Sequence, residues 1–242
     1  MKTLIIIPSR MSASRLPGKP LLKINGLSII THVFKKAESA NIGEVIVATE
    51  DQEIIDEVRN NGGNAILTSK NHKTGTDRVY EALIKFNKND IDFVMNVQGD
   101  EPDIDINDIQ TLDKKMKSNV SKIGTLAANI TKEEMFENKN LVKVKIQETF
   151  DKNSFPYAID FMRKTKDKVK VYHHIGIYSY EIQTLKIFTS LTQSKNELEN
   201  KLEQLRALDN NININVALAK KAPIGVDTKE DYLAIKKIMK YK

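Results

Sequence analysis

Thr3-Leu4-Ile5-Ile6-Ile7-Pro8, running into Ser9-Arg10-Met11-Ser12-Ala13-Ser14-Arg15-Leu16-Pro17-Gly18-Lys19-Pro20-Leu21, is the stretch from which the fold can be read. Residues 3–8 are an isoleucine-rich apolar run closed by a proline, the pattern of a strand buried on both faces in a parallel sheet. A polar loop continues to Gly26. Ile29, Ile30, Val33, Phe34 and Ala37 then recur at helical spacing over 29–40, behind Ser28 as a candidate N-cap. Further along, residues 45–48 read as a strand, 51–61 as a helix stopped by Gly62-Gly63, 65–67 as a short strand, 76–86 as a helix and 93–97 as a fourth buried strand. Strands alternating with helices of this length predict a mostly parallel sheet with right-handed crossovers and a ligand site at the carboxyl ends of its strands.

The fold class expected is therefore α/β, with a central sheet that is Rossmann-like in outline. Beyond residue 120 the texture changes. Residues 123–130, 142–147, 154–161 and 172–180 read as strands with few helices between them, which predicts a mixed sheet in the second half and an arm used for dimerisation over part of 123–180. Helical spacing returns over 197–208, a strand follows at 212–218, and a lysine-rich helix runs from about 228 to 239. One domain over residues 1–242 is the expectation.

A chain of 242 residues that is 40% hydrophobic and 29% charged can bury a substantial core, which excludes disordered and collagen-like classes. It contains no cysteine, so disulfides, thiolate metal sites, Fe–S clusters and cysteine nucleophiles are excluded together, and a reducing, cytoplasmic setting is expected. The run Leu4 to Ile7 is too short for a signal-peptide core or a membrane span, so no membrane partner is expected. The formal charge of +6 comes from lysines scattered along the chain, with 6% aromatic residues and no tryptophan, which reads as a solvated coat and argues against a nucleic-acid partner. Arginine is scarce by comparison. Arg10, Arg15, Arg78 and Arg206 lie in segments crowded with Gly, Pro, Asp or Gln, where a fixed fork of donors has a use.

Five segments are candidates for chemistry. The loop after the first strand offers Arg10, Arg15 and Lys19 with Ser9, Ser14 and Gly18, a set suited to a polyphosphate, although it matches neither common phosphate-loop order. Its bland alternative is a structural loop stiffened by Pro17 and Pro20. Asn96-Val97-Gln98-Gly99-Asp100-Glu101-Pro102 brings a carboxylate to the end of the fourth strand, where Asp100 is a Mg²⁺ candidate; the alternative is a turn with Glu101 solvated. Asp227 in Ile224-Gly225-Val226-Asp227-Thr228 is either the N-cap of the last helix or a second carboxylate for the same ion. In Thr74-Gly75-Thr76-Asp77-Arg78, Thr76 reads as a cap, and Gly75 leaves bare backbone against which a flat base can lie. In Tyr172-His173-His174-Ile175-Gly176-Ile177-Tyr178, strand alternation puts His174 on the more polar and roomier face. Glu203 and Gln204, neighbours on the expected 197–208 helix, cannot both point the same way and are solvated by default.

Taken together, Ile-Pro-Ser-Arg, Ser-Arg-Leu-Pro-Gly-Lys-Pro-Leu, Thr-Gly-Thr-Asp-Arg, Asn-Val-Gln-Gly-Asp-Glu-Pro, His-Ile-Gly-Ile-Tyr, Leu-Glu-Gln-Leu-Arg and Gly-Val-Asp-Thr-x-Glu-Asp resemble, in order from residue 7 to 231, the 3-deoxy-manno-octulosonate (Kdo) cytidylyltransferases. The resemblance implies a Rossmann-like nucleotidyltransferase fold. It also implies an Mg²⁺-dependent, homodimeric cytoplasmic enzyme that joins CMP from CTP to the acidic eight-carbon sugar Kdo for lipopolysaccharide synthesis. It gives Arg10, Arg15 and Lys19 to the CTP phosphates, with Ser14 assisting. Thr74, Gly75, Thr76 and Arg78 go to cytosine and ribose, Asp100 and Asp227 to magnesium, and Gln98, His174, Glu203 and Gln204 to the sugar, with Arg10, Lys19 and Asp100 as the catalytic set. Two segments depart from the family pattern, Phe155 to Arg163 in the middle region and His173 where relatives carry arginine. Both bear on the sugar.

The implied chemistry is in-line attack of the sugar's anomeric hydroxyl on the α-phosphorus of CTP. Rival readings are activation of an 8-amino Kdo analogue or of a nonulosonate, a catalytically silent binder on the same fold, and a nucleic-acid binder. Nonulosonate-activating relatives show Ile-Pro-Arg-Lys where this chain has Leu16-Pro17-Gly18-Lys19. Two acidic metal candidates are superfluous in a pure binder.

Overall fold

The computed structural model describes residues 1–12, 15–151 and 153–239, and they form two compact units. The first unit joins the chain up to Gln110 with the segment from Pro223 onward. It opens with β1 (Thr3–Ser9), a one-turn 3-10 helix (Lys19–Leu21) and a small hairpin of β2 (Lys23–Ile24) and β3 (Leu27–Ser28). Then come α1 (Ile29–Ser39), β4 (Gly43–Thr49), α2 (Gln52–Asn60), β5 (Asn64–Leu67), α3 (Gly75–Phe86), β6 (Phe93–Asn96) and α4 (Ile106–Asn119), which runs on past Gln110. β1 pairs in parallel with both β4 and β6, and β5 adds in parallel to β4, so the strand order is β6-β1-β4-β5. Leu4, Ile5, Ile6 and Ile7 are fully buried, as a central parallel strand covered on both faces requires. Ser28 caps α1 by accepting from the Thr31 N–H at 3.2 Å.

The helix that ends the described chain, α9 (Lys229–Met239), belongs to this same unit and buries Ile235 in a small cluster with Ile24, Ile29 and Val226. Leu16, Leu22, Tyr232 and Met239 pack around that cluster. Apolar contact thus holds the loop after β1 against the segment before α9, and the placement of the charged site depends on it.

The second unit, Thr111–Ala222, carries β7 (Ile123–Ala128), α5 (Glu134–Glu137), β8 (Lys143–Ile146), β9 (Ala158–Met162), β10 (Val171–Glu181), α6 (Ile182–Ser190), α7 (Lys195–Asn200), α8 (Leu205–Asp209) and β11 (Ile214–Leu218). β11 runs parallel to β7, whereas β7 with β10, β10 with β8 and β8 with β9 are antiparallel. This is a mixed sheet. No helix among the described residues is long and apolar enough to cross a membrane.

Among the elements that differ from the sequence expectation, three have a plain physical reason. The buried stripe Ile109, Leu112 and Met116 of α4 is interleaved with buried Asp108 and Asp113, which hides its helical period. The α6 helix starts on the last residue of a strand, where the Glu181 carboxylate accepts from the Gln183 and Thr184 N–H groups. The single helix expected over 197–208 is two short ones, because Lys201 adopts a left-handed conformation with φ 53° and ends α7.

Candidate active site

The site of the first unit grows out of the loop after β1. Gly18 takes φ +73°, a left-handed value that favours glycine, and starts the 3-10 turn with Pro20 buried beneath it. The Gly18 N–H donates to the Met11 carbonyl at 3.0 Å and Met11 N–H to the Asp51 carboxylate at 2.7 Å. This folding delivers Lys19 inward. Arg10 and Arg15 stay exposed on the same loop, and Ser14 lies outside the described residues.

Asp100 enters from the end of β6. Gly99 is required there, since a Cβ would sit 2.9 Å from the Pro8 carbonyl oxygen at the end of β1. The Val226 N–H donates to the Asp100 carbonyl at 2.8 Å and ties the segment before α9 to this turn. The capping question at Asp227 has a clear answer: the Thr228 hydroxyl accepts from the Asp231 N–H, and the Asp231 carboxylate accepts from the Asp227 and Thr228 N–H groups. The Asp227 carboxylate is thereby left for other partners. Lys19 Nζ donates to Asp100 Oδ2 at 2.5 Å, to Asp227 Oδ1 at 3.2 Å and to the Val226 carbonyl at 2.9 Å, while Arg15 donates to Asp227 Oδ2 at 2.8 Å. Burial alone would lower the pKa of the Lys19 ammonium, but the charges of Asp100 and then Asp227 outweigh it and raise the value.

Glu101, solvated in the alternative turn reading of this segment, is enclosed. Its Oε2 is sealed from water with no hydrogen-bond partner, and burial, followed by the neighbouring charges of Asp100 and Asp227, pushes its pKa up to about 8. Three carboxyl groups thus crowd one lysine, and one of them is held toward its neutral form. No local signal in Gly-Asp-Glu-Pro reveals this; a Cβ added at Gly225, far along the chain, would come 4.0 Å from Glu101 Cγ.

The start of α3 lines the same cavity as this charged cluster. Thr74, not Thr76, is the N-cap, in a full capping box with Asp77. Thr76 is buried in the first turn. A Cβ on Gly75 would meet nothing closer than Pro8 Cγ at 4.0 Å. Arg78 is buried and its fork is engaged: Nη1 donates to Thr68 Oγ1 at 2.6 Å and to the Ser69 carbonyl at 3.2 Å, and Nη2 pairs with Glu50. It braces the loop before α3. Pro8, Ser9, Arg10, Arg15, Lys19, His72, Lys73, Thr74, Gly75, Arg78, Gln98, Gly99, Asp100 and Asp227 line one cavity of about 350 Å³. The structure therefore brings together every described first-unit candidate except Thr76.

In the second unit, His174 is buried rather than set on a roomy face. Its ring packs edge-on to Phe161 at 5.1 Å between centroids and lies 5.5 Å from Tyr178. Thr125 Oγ1 lies 3.0 Å from its Nε2, and through the irregularity of β10 between Ile175 and Tyr178 the same oxygen lies 3.1 Å from the Ile175 carbonyl and 2.7 Å from the Ile177 carbonyl. Burial, with the positive potential of His173, lowers the His174 pKa to about 3, so the ring is neutral. Glu203 and Gln204 sit in the turn between α7 and α8, where Gln204 is buried and Glu203 Oε1 lies 3.8 Å from Arg206. Arg206 makes a buried two-pronged pair with Glu197 at 2.8 and 2.6 Å, which fixes that turn from below.

A cationic loop at the carboxyl end of a parallel strand, facing two carboxylates from distant segments, defines an α/β nucleotidyltransferase. The family profile described as cytidylyltransferase matches residues 4–214. The chain is 43% identical to a 3-deoxy-manno-octulosonate cytidylyltransferase of Thermodesulfovibrio yellowstonii over 249 residues, covering 96% of this chain and 95% of the relative. It is 42% identical to the one of Rhodopseudomonas palustris strain BisB18, with 98% of each covered. A solved structure of a CMP:2-keto-3-deoxy-manno-octonic acid synthetase complexed with CTP superimposes with a TM-score of 0.90 at 35% identity, covering 100% of this chain and 99% of that one. The chain belongs to the 3-deoxy-manno-octulosonate cytidylyltransferase family.

Proposed function

We propose that this enzyme transfers the cytidylyl group of CTP to the anomeric hydroxyl of Kdo, releasing pyrophosphate and supplying CMP-Kdo for lipopolysaccharide synthesis in the cytoplasm. The observation that carries the proposal is Lys19 bound to both Asp100 and Asp227 in a cavity that Arg10 and Arg15 also line. In the reaction an O–P bond forms between the sugar oxygen and the α-phosphorus, the bond from that phosphorus to the bridging oxygen breaks, and the hydroxyl proton leaves. No covalent enzyme intermediate is needed.

Arg10, Arg15 and Lys19 neutralise the triphosphate and the departing pyrophosphate, and Gly75 with Thr74 receives the base against bare backbone. Asp100 and Asp227 fit a magnesium ion, because two hard carboxylates converge on one cation position and Mg²⁺ asks the protein for only one or two while phosphates and water complete its shell. When bound, the ion supplies charge neutralisation and a lowered pKa for a coordinated hydroxyl. Gln98, His174, Glu203 and Gln204 keep the sugar-binding role that the family resemblance gives them, and a homodimer is part of the same reading.

Pyrophosphate release measured with a panel of nucleotides and ulosonic acids tests the proposal. Kdo-dependent turnover with CTP is the expected result. Release only with 8-amino Kdo or a nonulosonate would replace the acceptor, and no release with any pair would leave a silent binder.

A further inference from the structure

The segment between β5 and α3 has no regular structure, yet α3 holds it at two points. Arg78 grips Thr68 and the Ser69 carbonyl. Glu81, nearly one turn further on, accepts from the Ser69 N–H at 2.9 Å, from Lys85 at 2.7 Å and from His72 Nε2. Burial works against the ionisation of Glu81, but hydrogen bonds from Lys85, Ser69 and His72 outweigh it and bring its pKa down to about 2. An ionised carboxylate can only accept. The hydrogen shared with His72 therefore sits on Nε2, an arrangement that in the uncharged form of the ring leaves the lone pair on Nδ1. His72 lines the cavity together with Lys73, Thr74 and Gly75.

We propose that His72 is a base-specificity residue whose Nδ1 accepts a hydrogen bond from the exocyclic amino group of cytosine, and that Glu81 is the positioning residue that fixes the ring in the tautomer this requires. The proposal rests on the reading of this cavity as the CTP site. The discrimination follows from the base edges: cytosine presents an amino donor at C4 where uracil presents a carbonyl acceptor, which would face the Nδ1 lone pair and be repelled. A site built around one hydrogen-bonding polarity rejects the opposite one strongly, because its own buried group is left unpaired. The phosphate end of the cavity cannot make this distinction, since CTP and UTP carry the same triphosphate.

The test compares kcat/KM for CTP and UTP with Kdo, and calorimetric binding of both nucleotides, for the full chain, His72→Phe and Glu81→Gln. Wild type is expected to prefer CTP, and His72→Phe to reduce the CTP to UTP ratio by about tenfold or more, mainly through CTP. In Glu81→Gln the amide can turn its NH₂ toward His72 and move the ring hydrogen to Nδ1, so the ratio is expected to fall there too. ¹⁵N chemical shifts of His72 should report the Nε2–H tautomer in wild type and its loss in Glu81→Gln, with Nδ1 responding to CTP and not to UTP. An unchanged ratio in folded His72→Phe would overturn the proposal. So would an equal loss with CTP and UTP accompanied by altered discrimination against dCTP, which would place the contact on the ribose. If His72→Phe does not fold, the wild-type ¹⁵N response decides. Should wild type bind CTP yet transfer nothing to Kdo, the transferase reading fails while the binding ratio still judges His72.

Discussion

Gly75→Ala separates the ligand role of this residue from its structural one. Gly75 is the first residue of α3, after the Thr74 cap, and its φ lies outside the left-handed region. The added methyl meets only Pro8 Cγ, at 4.0 Å, an ordinary van der Waals distance. The fold therefore loses nothing, and relief of glycine's backbone entropy in a helix gives about 0.5 kcal/mol of stability, or about 1–2 °C in Tm for a chain of this size. That methyl projects into the 350 Å³ cavity, where it would hold a flat base away from the backbone. Losing part of that contact is expected to cost about 1.4–2.8 kcal/mol, or roughly 10- to 100-fold in the KM for CTP. The KM for Kdo should stay close to wild type. Thermal melting and initial-rate kinetics on the same preparation give both readouts. An unchanged KM for CTP would mean that no base lies against Gly75, and a lower Tm would mean that the space around it is not open.

Other outcomes can be stated more briefly. Asp100→Asn should lower kcat by about 10²–10³ through loss of a preorganised charged contact, with circular dichroism showing a native fold; near-native turnover would remove Asp100 from the metal assignment. Because the folded-state pKa of Glu101 is raised to about 8, its folded form binds the proton more tightly than the unfolded chain does, so stability falls as pH rises from about 4.5 to 8. Glu101→Gln should therefore melt higher than wild type at pH 8.5, with the gap closing near pH 5, and parallel melting curves across that range would contradict the burial of this carboxyl. Glu197→Gln leaves Arg206 charged and enclosed, which should cost about 3–5 kcal/mol in urea unfolding; a loss below about 1 kcal/mol would mean the pair behaves as a surface one.

Much of the fold is legible because its signals are local. The run from Leu4 to Ile7, the periodic face of α1 and the Gly62-Gly63 stop each follow from a few neighbouring side chains. The cationic loop and Asp100 are legible for the same reason, as they end strands that the pattern identifies. What escaped reading depends only in part on distant partners. The pair Thr74 and Asp77 is a local capping pattern that the reading of Thr76 passed over, whereas nothing near Arg78 says that Glu50 and Thr68 will occupy its donors. Asp227 loses its capping role because Thr228 and Asp231, its near neighbours, cap each other, whereas the sealing of Glu101 has no signal in its own segment. His174 is enclosed by Phe161 of β9 and Thr125 of β7, partners that alternation along its own strand does not reveal.

The apolar cluster that joins β2, α1 and α9 has a consequence for how the enzyme comes into being. Lys19 and Asp227 are 208 residues apart, and at roughly 5–20 residues per second a ribosome takes on the order of 10–40 s to make the second after the first. During that interval the nascent chain carries a basic loop whose second acidic partner does not yet exist, while the whole intervening unit has time to fold on its own. Catalytic competence is then gained in one late docking event, when the final helix returns to a sheet made at the start of synthesis.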